Sequence, residues 1–331
     1  GTAVRLAAGT ATVDHAVLAT LDPEQWLDGA YVLRLTATDM AGRETVVTQT
    51  VELNFQAART AVYRTAATDL EVMLGGIPFA LTRRYDGRAA NLDGLLGYGW
   101  HLAGAEPSIA TNVPQTGLEA AGLFTALHEG AHLYVTLPDG NRVQYTFSPV
   151  SHQTGGLVYY TPAWVAEAGV TVVLATAPAR LERAGDAYVQ QGTGAAYNPA
   201  SDRFAGPAYS LTLADGTVYR YDRNQALTEI AAAGGRLTWS DSGLIADDGT
   251  RLGFEWDRAG RLAAVTAPDG SRVQYAYNGA GELEAVNDLG DGRRTWYGYV
   301  GTPAHFLGMV ISPDAGASVR IRSSAVGALL G

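Results

Sequence analysis

The sequence predicts an all-β protein built largely from short antiparallel hairpins. Its dominant pattern is short runs of alternating apolar and polar residues separated by Gly, Asp, Asn and Pro, and helical periodicity is nearly absent. Apolar residues make up 47 % of the 331 positions, enough for a folded chain with more than one hydrophobic core. The third observation is an internal repeat, because Asp-Gly pairs recur about every 21 residues toward the C-terminus.

Composition excludes several classes of function. The net charge is −10 and no basic run is present, so nucleic-acid binding is not expected. All 23 basic residues are arginine and cysteine is absent, which excludes a Schiff-base lysine, a P-loop lysine and thiolate chemistry. No apolar run reaches the roughly 20 residues of a membrane span. The two termini are typical of an excerpt from a longer chain, and no cofactor is predicted.

The first predicted domain covers residues 1–56. Tyr31–Thr38 is an alternating strand, Asp39–Arg43 is a turn, and Glu44–Phe55 is rich in the Val and Thr that favour a second strand. The run from Asp28 to Asp39 resembles the last hairpin of bacterial immunoglobulin-like or fibronectin-like modules. A complete sandwich needs about 100 residues, so the resemblance implies a partial sandwich-like β domain.

The clearest repeat pairs Leu137–Phe147 with Ala267–Tyr277, which are identical at seven of eleven positions. Looser copies occupy 215–222 and 248–257. The Asp-Gly pairs suit tight hairpin turns, and one hairpin is marginal alone, so we expect each unit to pack on the next in a single sheet. The repeat-defining residues are Asp139, Gly140, Tyr145, Asp215, Gly216, Tyr221, Asp222, Asp248, Gly249, Trp256, Asp257, Asp269, Gly270, Tyr275 and Tyr277.

The aromatic-acid steps Tyr221-Asp222, Trp256-Asp257 and the related Tyr277-Asn278 resemble the Rhs or YD-repeat family. This family includes bacterial polymorphic toxins, toxin-complex shells and animal teneurins. The resemblance implies an antiparallel sheet that spirals into a hollow shell, in a secreted or cell-surface protein. Its partners would be further repeats of the same polypeptide and, in toxin members, a C-terminal toxin. The chain departs from those members because their Asp-Pro-x-Gly-Leu cleavage motif and toxin domain are absent.

A second part of the resemblance is the segment that opens Rhs cores. It rests on Leu81–Arg88 followed by Gly94–Trp100, and its candidate residues are Arg84, Tyr85, Gly97, Gly99 and Trp100. The remaining predicted domains are the core-opening part with the first repeat-like hairpin (57–147), a β-rich insertion that matches no repeat (148–210) and the YD repeats (211–331).

His128, Glu129 and His132 match the H-E-x-x-H pattern of zinc proteases. That chemistry needs a helix, which places both histidines on one face. Here Gly130 is a poor helix residue, and the flanking runs 123–127 and 133–137 predict two strands joined by a turn. We therefore predict no metal site and no catalytic residue, with a zinc hydrolase kept as the least favoured alternative.

Two further acidic patterns are predicted to be turns. Asn287–Gly292 lacks the alternating ligands of a calcium loop, and Asp247-Asp248 falls on a repeat turn instead of forming a glycosidase pair. The leading hypothesis is a structural shell or stalk segment. The main alternative is an adhesive module that binds a glycan or a protein at a cell surface through exposed aromatic side chains.

Overall fold

The structure is a computed structural model that describes residues 4–11, 13–23, 26–54, 63–301, 304–312 and 318–320. Within these residues the chain forms 28 β-strands, and its helical turns include the 3-10 segments Gly87–Ala89 and Glu119–Ala121. The all-β prediction is confirmed. Parts of the predicted domains 1–56, 57–147 and 211–331 lie outside the described residues.

The N-terminal part is one long hairpin. Strands β1 (Gly29–Thr38) and β2 (Glu44–Leu53) pair over ten positions, and Asp39 accepts backbone hydrogen bonds from the turn between them. No strand precedes β1 in the described residues from position 4 onward. The immunoglobulin-like sandwich therefore stays a prediction.

Residues 63–105 form a unit that we call the opening segment. Its main sheet has the order β3-β4-β7, in which β3 and β4 are a long hairpin. Its strands are β3 (Arg64–Leu74), β4 (Ile77–Asp86), β5 (Asp93–Gly94), β6 (Gly97–Tyr98) and β7 (Trp100–Leu102).

The middle of the chain contributes two four-stranded sheets, with orders β13-β10-β9-β8 and β11-β12-β15-β16. A small separate core between them contains Phe147, Tyr188 and Tyr197. The strands are β8 (Ala110–Thr111), β9 (His132–Thr136), β10 (Arg142–Phe147), β11 (Val150–Thr154), β12 (Leu157–Thr161), β13 (Trp164–Ala166), β15 (Leu181–Ala184) and β16 (Ala187–Gln190).

The C-terminal part forms a 13-stranded antiparallel sheet, in which every strand after the first pair follows its predecessor in the chain. Its strands, in order, are β14 (Val173–Thr176), β17 (Tyr209–Thr212), β18 (Val218–Tyr221), β19 (Leu227–Ala232), β20 (Gly235–Ser240), β21 (Gly243–Ala246), β22 (Arg251–Trp256), β23 (Leu262–Thr266), β24 (Arg272–Tyr277), β25 (Leu283–Asp288), β26 (Arg294–Val300), β27 (Phe306–Ile311) and β28 (Ser318–Arg320). This meander is the sheet that the repeat predicts.

The large sheet and the opening segment share one hydrophobic core. Leu81, Tyr85 and Trp100 of the opening segment belong to the same buried cluster as Leu237 and Leu262 of the sheet. Apolar burial contributes about 25 cal/mol per Å² removed from water. The repeat sheet is therefore stabilised on one face by the opening segment, which completes its second layer.

Candidate functional site

The Asp-Gly pairs form hairpin turns of one geometry. At Asp269-Gly270, the Ala267 N–H donates to the Ser271 carbonyl at 2.8 Å, the Asp269 side chain accepts from the Ser271 N–H at 2.9 Å, and Gly270 has φ +88°. A turn of this kind requires a left-handed residue, which glycine adopts without strain. The same bonds recur at the turns that contain Asp139, Gly140, Asp215, Gly216, Asp248 and Gly249.

These carboxylates are occupied by their own turns. Hydrogen bonds from Ser271 hold the pKa of Asp269 below its usual value, and those from Thr250 do the same for Asp248. Asp247 pairs with Arg236 at 3.1 Å. The Asp247-Asp248 doublet therefore divides into a turn acceptor and an ion-pair partner.

The Tyr-Asp steps make the turns at the opposite ends of the strands. Asp257 Oδ1 accepts from the N–H groups of Ala259 and Arg261 at 2.8 and 2.9 Å, and Asp222 and Asn278 repeat this pattern. The acid of each step is thus a turn-forming residue whose oxygen satisfies two backbone donors.

The aromatic residue of each step connects one repeat to an earlier element. The Tyr277 hydroxyl donates to the Leu262 carbonyl at 2.6 Å, and Tyr299 repeats this contact one unit later, to Leu283 at 2.8 Å. Trp256 Nε1 donates to the Asp241 carbonyl, and the Tyr221 hydroxyl reaches Gly104 O at 2.7 Å. In the first copy, Tyr145, which aligns with Tyr275, donates to the carbonyl of the later residue Val172 at 2.8 Å.

Tyr85 and Trp100 of the opening segment face the last repeat. The Tyr85 hydroxyl donates to the His305 carbonyl at 3.0 Å and accepts from the Leu307 N–H at 2.8 Å, and Trp100 Nε1 donates to the Tyr299 hydroxyl at 2.8 Å.

Two glycines of the opening segment permit neighbouring groups to lie close to its backbone. A Cβ at Gly97, which has φ +81°, would lie 2.4 Å from the Gly281 carbonyl oxygen, and one at Gly99 would lie 2.5 Å from the Tyr85 ring. Arg84 points to the other side of the sheet, where a Cβ added at Gly140 would lie 2.9 Å from the Arg84 Cδ.

A buried ion pair that the sequence did not reveal lies at the centre of this contact. Arg83 bonds Asp69 through Nη1 and donates to the Tyr297 hydroxyl at 2.7 Å, while the Tyr275 hydroxyl donates to Asp69 at 2.8 Å. The guanidinium also lies 5.6 Å from the centre of the Trp100 ring. The available signal in the sequence was a charged residue, Arg83, at a position of β4 where the alternation predicts an apolar one. The tyrosines that bond this pair are more than 200 residues away from Arg83 and Asp69 respectively.

The histidine-glutamate motif does not form a helix. Glu129 and Gly130 make a turn in which Gly130 has φ +80°, and His132 is the first residue of β9. His132 Nδ1 bonds Glu52 at 2.7 Å, whereas His128 Nδ1 contacts its neighbour's carbonyl at 3.0 Å. The predicted turn is present, but the predicted strand over 123–127 is wrong, because this stretch is a loop around the small core.

The acidic run 287–292 spans the end of β25 and the turn that follows it, where Asp288 and Asp291 accept from the N–H groups of Gly290 and Arg293. Within the described ranges, no three His, Asp or Glu side chains are grouped to hold a metal ion.

A cavity of about 320 Å³ lies between the opening segment, the β9–β10 hairpin and the turn after β18. Glu106, on its wall, accepts backbone hydrogen bonds from Leu95 and Leu102 at 2.9 and 2.8 Å. Burial nevertheless raises the pKa of Glu106 to about 7. The same wall carries His101, whose pKa is lowered by burial to about 4.

The fold and these contacts define a β-repeat protein in which the residues singled out by the sequence make turns and inter-repeat contacts. A family model described as RHS Repeat matches residues 248–296, which include β22 to β25 and the start of β26. Residues 248–296 therefore carry the repeat of the Rhs/YD-repeat family, and the resemblance drawn from the steps Trp256-Asp257 and Tyr277-Asn278 is confirmed there. No curated protein matched the chain. In the part that the structure describes, no helix is long and apolar enough to cross a membrane.

Proposed function

We propose that this chain is a structural segment of the wall of a β-shell, in a large secreted or cell-surface bacterial protein that encloses or delivers a toxin. The observation that carries the proposal is the uninterrupted sheet of β17 to β28, in which each strand pairs with the next. A wall built this way can lengthen by one hairpin per repeat without changing its existing contacts.

The structural contacts of the conspicuous side chains support a scaffold function. Conspicuous acids such as Asp257 and Asp269 make turns, and the hydroxyls of Tyr277 and Tyr299 join repeats. The opening segment covers one face of the sheet, as a piece that begins a wall would do. Proteins of this family are typically extracellular, which supports the secreted or cell-surface location.

Cryo-electron microscopy of the native, uncut polypeptide tests the enclosure. We expect the sheet to continue from β28 into further strands that close around an internal volume. A native protein whose repeats end near residue 331, measured by intact mass, would contradict enclosure. Protease treatment of intact cells tests the location, since a cell-surface protein is degraded while a cytoplasmic marker survives.

A second candidate function is adhesion, and one hairpin with exposed apolar side chains on both faces favours it. Val150, Leu157 and Val158 on the β11–β12 hairpin are 50, 69 and 51 % exposed, and exposed apolar groups of this kind suit a protein partner. The nearby Tyr159 ring is a poor platform for a glycan because His152 stacks on it at 4.9 Å and Arg180 covers it at 4.8 Å.

Flow cytometry with the labelled chain on target cells tests this second function. We expect the double substitution Leu157→Ser, Val158→Ser to abolish most binding, while Leu289→Ser, at an equally exposed turn residue (51 %), leaves it unchanged. Equal binding by all three proteins would eliminate the hairpin as the adhesive surface.

A further inference from the structure

A layer of buried and half-buried arginines lies on the face of the opening segment that is turned away from the repeats. Side chains alternate along a strand, so Arg84 and Asp86 share the face opposite Tyr85. Arg84 pairs across the sheet with His101, and Asp86 pairs with Arg64. We call Arg64, Arg84, Arg88 and Arg142 the arginine layer, the last of these being contributed by β10.

The anionic partners of the layer are few. Asp86 Oδ2 lies 2.9 Å from Arg64 Nη2 and 3.5 Å from Arg88 Nη2, so one carboxylate serves two guanidinium groups. Arg142 donates to the backbone carbonyl of Asp28 at 2.8 Å and to Thr136 Oγ1 at 3.1 Å. Burial lowers the pKa of Arg142 to about 10, which still leaves it charged at neutral pH.

Several buried nitrogens of this layer have no hydrogen-bond partner among the described residues. They include Nε and Nη1 of Arg88, whose side chain is 0 % exposed, and Nε2 of His101. Nε of Arg64 and Nε of Arg84 also lack a hydrogen-bond partner among the described residues. A buried donor without an acceptor costs about 1–3 kcal/mol, and more when it is charged. Their concentration in one layer therefore indicates a place for an added acceptor.

The balance of charge in the arginine layer also indicates a place for an added anion. Arg142 faces the buried carboxylates of Asp28 and Asp86, and Asp86 also serves Arg64 and Arg88. His101 contributes no anion, and the carboxylate of Glu106, which lines the same cavity, already accepts hydrogen bonds from two backbone N–H groups. Positive charge in excess of its partners is expensive in a low-dielectric interior unless a counter-ion compensates it.

The cavity gives a ligand access to this layer. Asp86, His101, Thr136 and Arg142 line it, and the exposed residues Leu92, Asp93 and Asn224 border it toward solvent. Its volume of about 320 Å³ equals that of roughly ten water molecules, which is more than one phosphate ion occupies. The space therefore admits an anionic group with a small organic substituent.

We propose that the arginine layer binds a tetrahedral oxyanion of the phosphate or sulfate class that enters through this cavity. The anion is held by His101, which lines the cavity, together with Arg84 and Arg88, which lie next to the lining residues Gly140 and Ala89. Such an anion supplies several acceptor oxygens at once, and guanidinium groups bind it through charge-assisted, often bidentate hydrogen bonds. The ligand is either free inorganic anion or the phosphate of a small monoester. The inference is independent of shell formation and of toxin delivery.

Calorimetry with the whole chain and inorganic phosphate tests the proposal at constant ionic strength. We expect saturable binding by phosphate and sulfate, and a heat signal with chloride that does not saturate. A sugar phosphate distinguishes the two sources, because tighter binding than inorganic phosphate identifies a monoester and weaker binding identifies the free ion. Absence of saturable binding by all three oxyanions would overturn the proposal.

Substitution locates the site. Loss of one charge-assisted bond predicts a phosphate Kd raised roughly tenfold to a hundredfold for Arg84→Gln. Arg272→Gln, which removes an exposed arginine paired with Glu255, should leave the Kd within about twofold. If Arg84→Gln does not fold, the imidazole signals of His101 in the unmodified chain decide by NMR. They should shift with phosphate and not with chloride, and no shift with either would overturn the site.

Discussion

Replacing Arg83 with methionine is the sharpest test of how the opening segment is held against the repeats. Arg83 and Asp69 are 4 and 6 % exposed as side chains, and each also bonds a tyrosine of the repeat sheet. Arg83→Met leaves the Asp69 carboxylate buried with the Tyr275 hydroxyl as its remaining side-chain donor. Removing one partner of a buried pair costs about 3–5 kcal/mol.

The cost has an upper limit because Asp69 can take up a proton. Protonating an aspartate at pH 7, against an ordinary pKa near 4, costs about 4 kcal/mol. We therefore expect Arg83→Met to lower the free energy of unfolding by about 3–4 kcal/mol at pH 7. At pH 5 the same protonation is about 2–3 kcal/mol cheaper, so the loss should be correspondingly smaller.

Urea unfolding followed by tryptophan fluorescence measures both losses. The control is Arg272→Met, which breaks an ion pair whose side chains are 30 and 57 % exposed and which should cost at most about 1 kcal/mol. The double variant Asp69→Leu, Arg83→Met should recover much of the lost stability, since it buries no lone charge. A loss no larger than the control's, or one independent of pH, would refute the reasoning.

Three further predictions concern the cavity and the repeat contacts. Burial raises the pKa of Glu106 to about 7, so its contribution to the free energy of unfolding is full below about pH 4.5 and falls by about 3 kcal/mol as the pH rises to 7. This pH dependence should be absent when Glu106→Gln is unfolded in urea. A variant with the same pH slope as the unmodified chain would contradict this. Tyr277→Phe removes the bond to Leu262 and should cost about 1 kcal/mol in thermal unfolding; an unchanged melting temperature counts against that contact. Gly97→Ala should lower the free energy of unfolding in urea by about 1–3 kcal/mol more than Gly216→Ala does. The two glycines have similar φ (+81° and +85°), but only a Cβ at Gly97 would meet the Gly281 carbonyl oxygen. Equal losses would show that the backbone around Gly97 and Gly281 moves apart to accommodate the Cβ.

The local part of this fold was predictable because its determinants are adjacent in sequence. Asp269, Gly270 and Ser271 contain every atom of the turn's side-chain bond, so the Asp-Gly period predicted hairpins. The same reasoning placed a turn at Gly130.

The parts that were not predicted depend on distant residues. Asp69 and Tyr275 are separated by 206 positions, and Arg83 and Tyr297 by 214. The strand expected over 123–127 fails for a related reason. Leu127 N–H bonds the Tyr197 carbonyl and Leu127 O accepts from the Tyr188 N–H of β16, so single contacts to the small core hold this stretch and no continuous ladder forms. Gln225 adopts φ +66° where related turns have glycine, and its amide bonds both backbone groups of Ile109.

The turns on the two rims of the large sheet differ in how well they can accommodate added residues. Successive turns of a meander lie on alternate rims, so the Asp-Gly turns share one rim and the Tyr-Asp turns the other. On the first rim, a side chain at Gly216, Gly249 or Gly270 would meet open space. On the second, Leu262 N–H bonds Leu95 O and Gly281 lies against Gly97. Insertions, epitope tags and natural loop elaborations should therefore be tolerated at these three turns. The second rim should keep its length, and so should the β19–β20 turn of the first rim, where a Cβ at Gly234 would lie 3.0 Å from the Gly76 carbonyl oxygen.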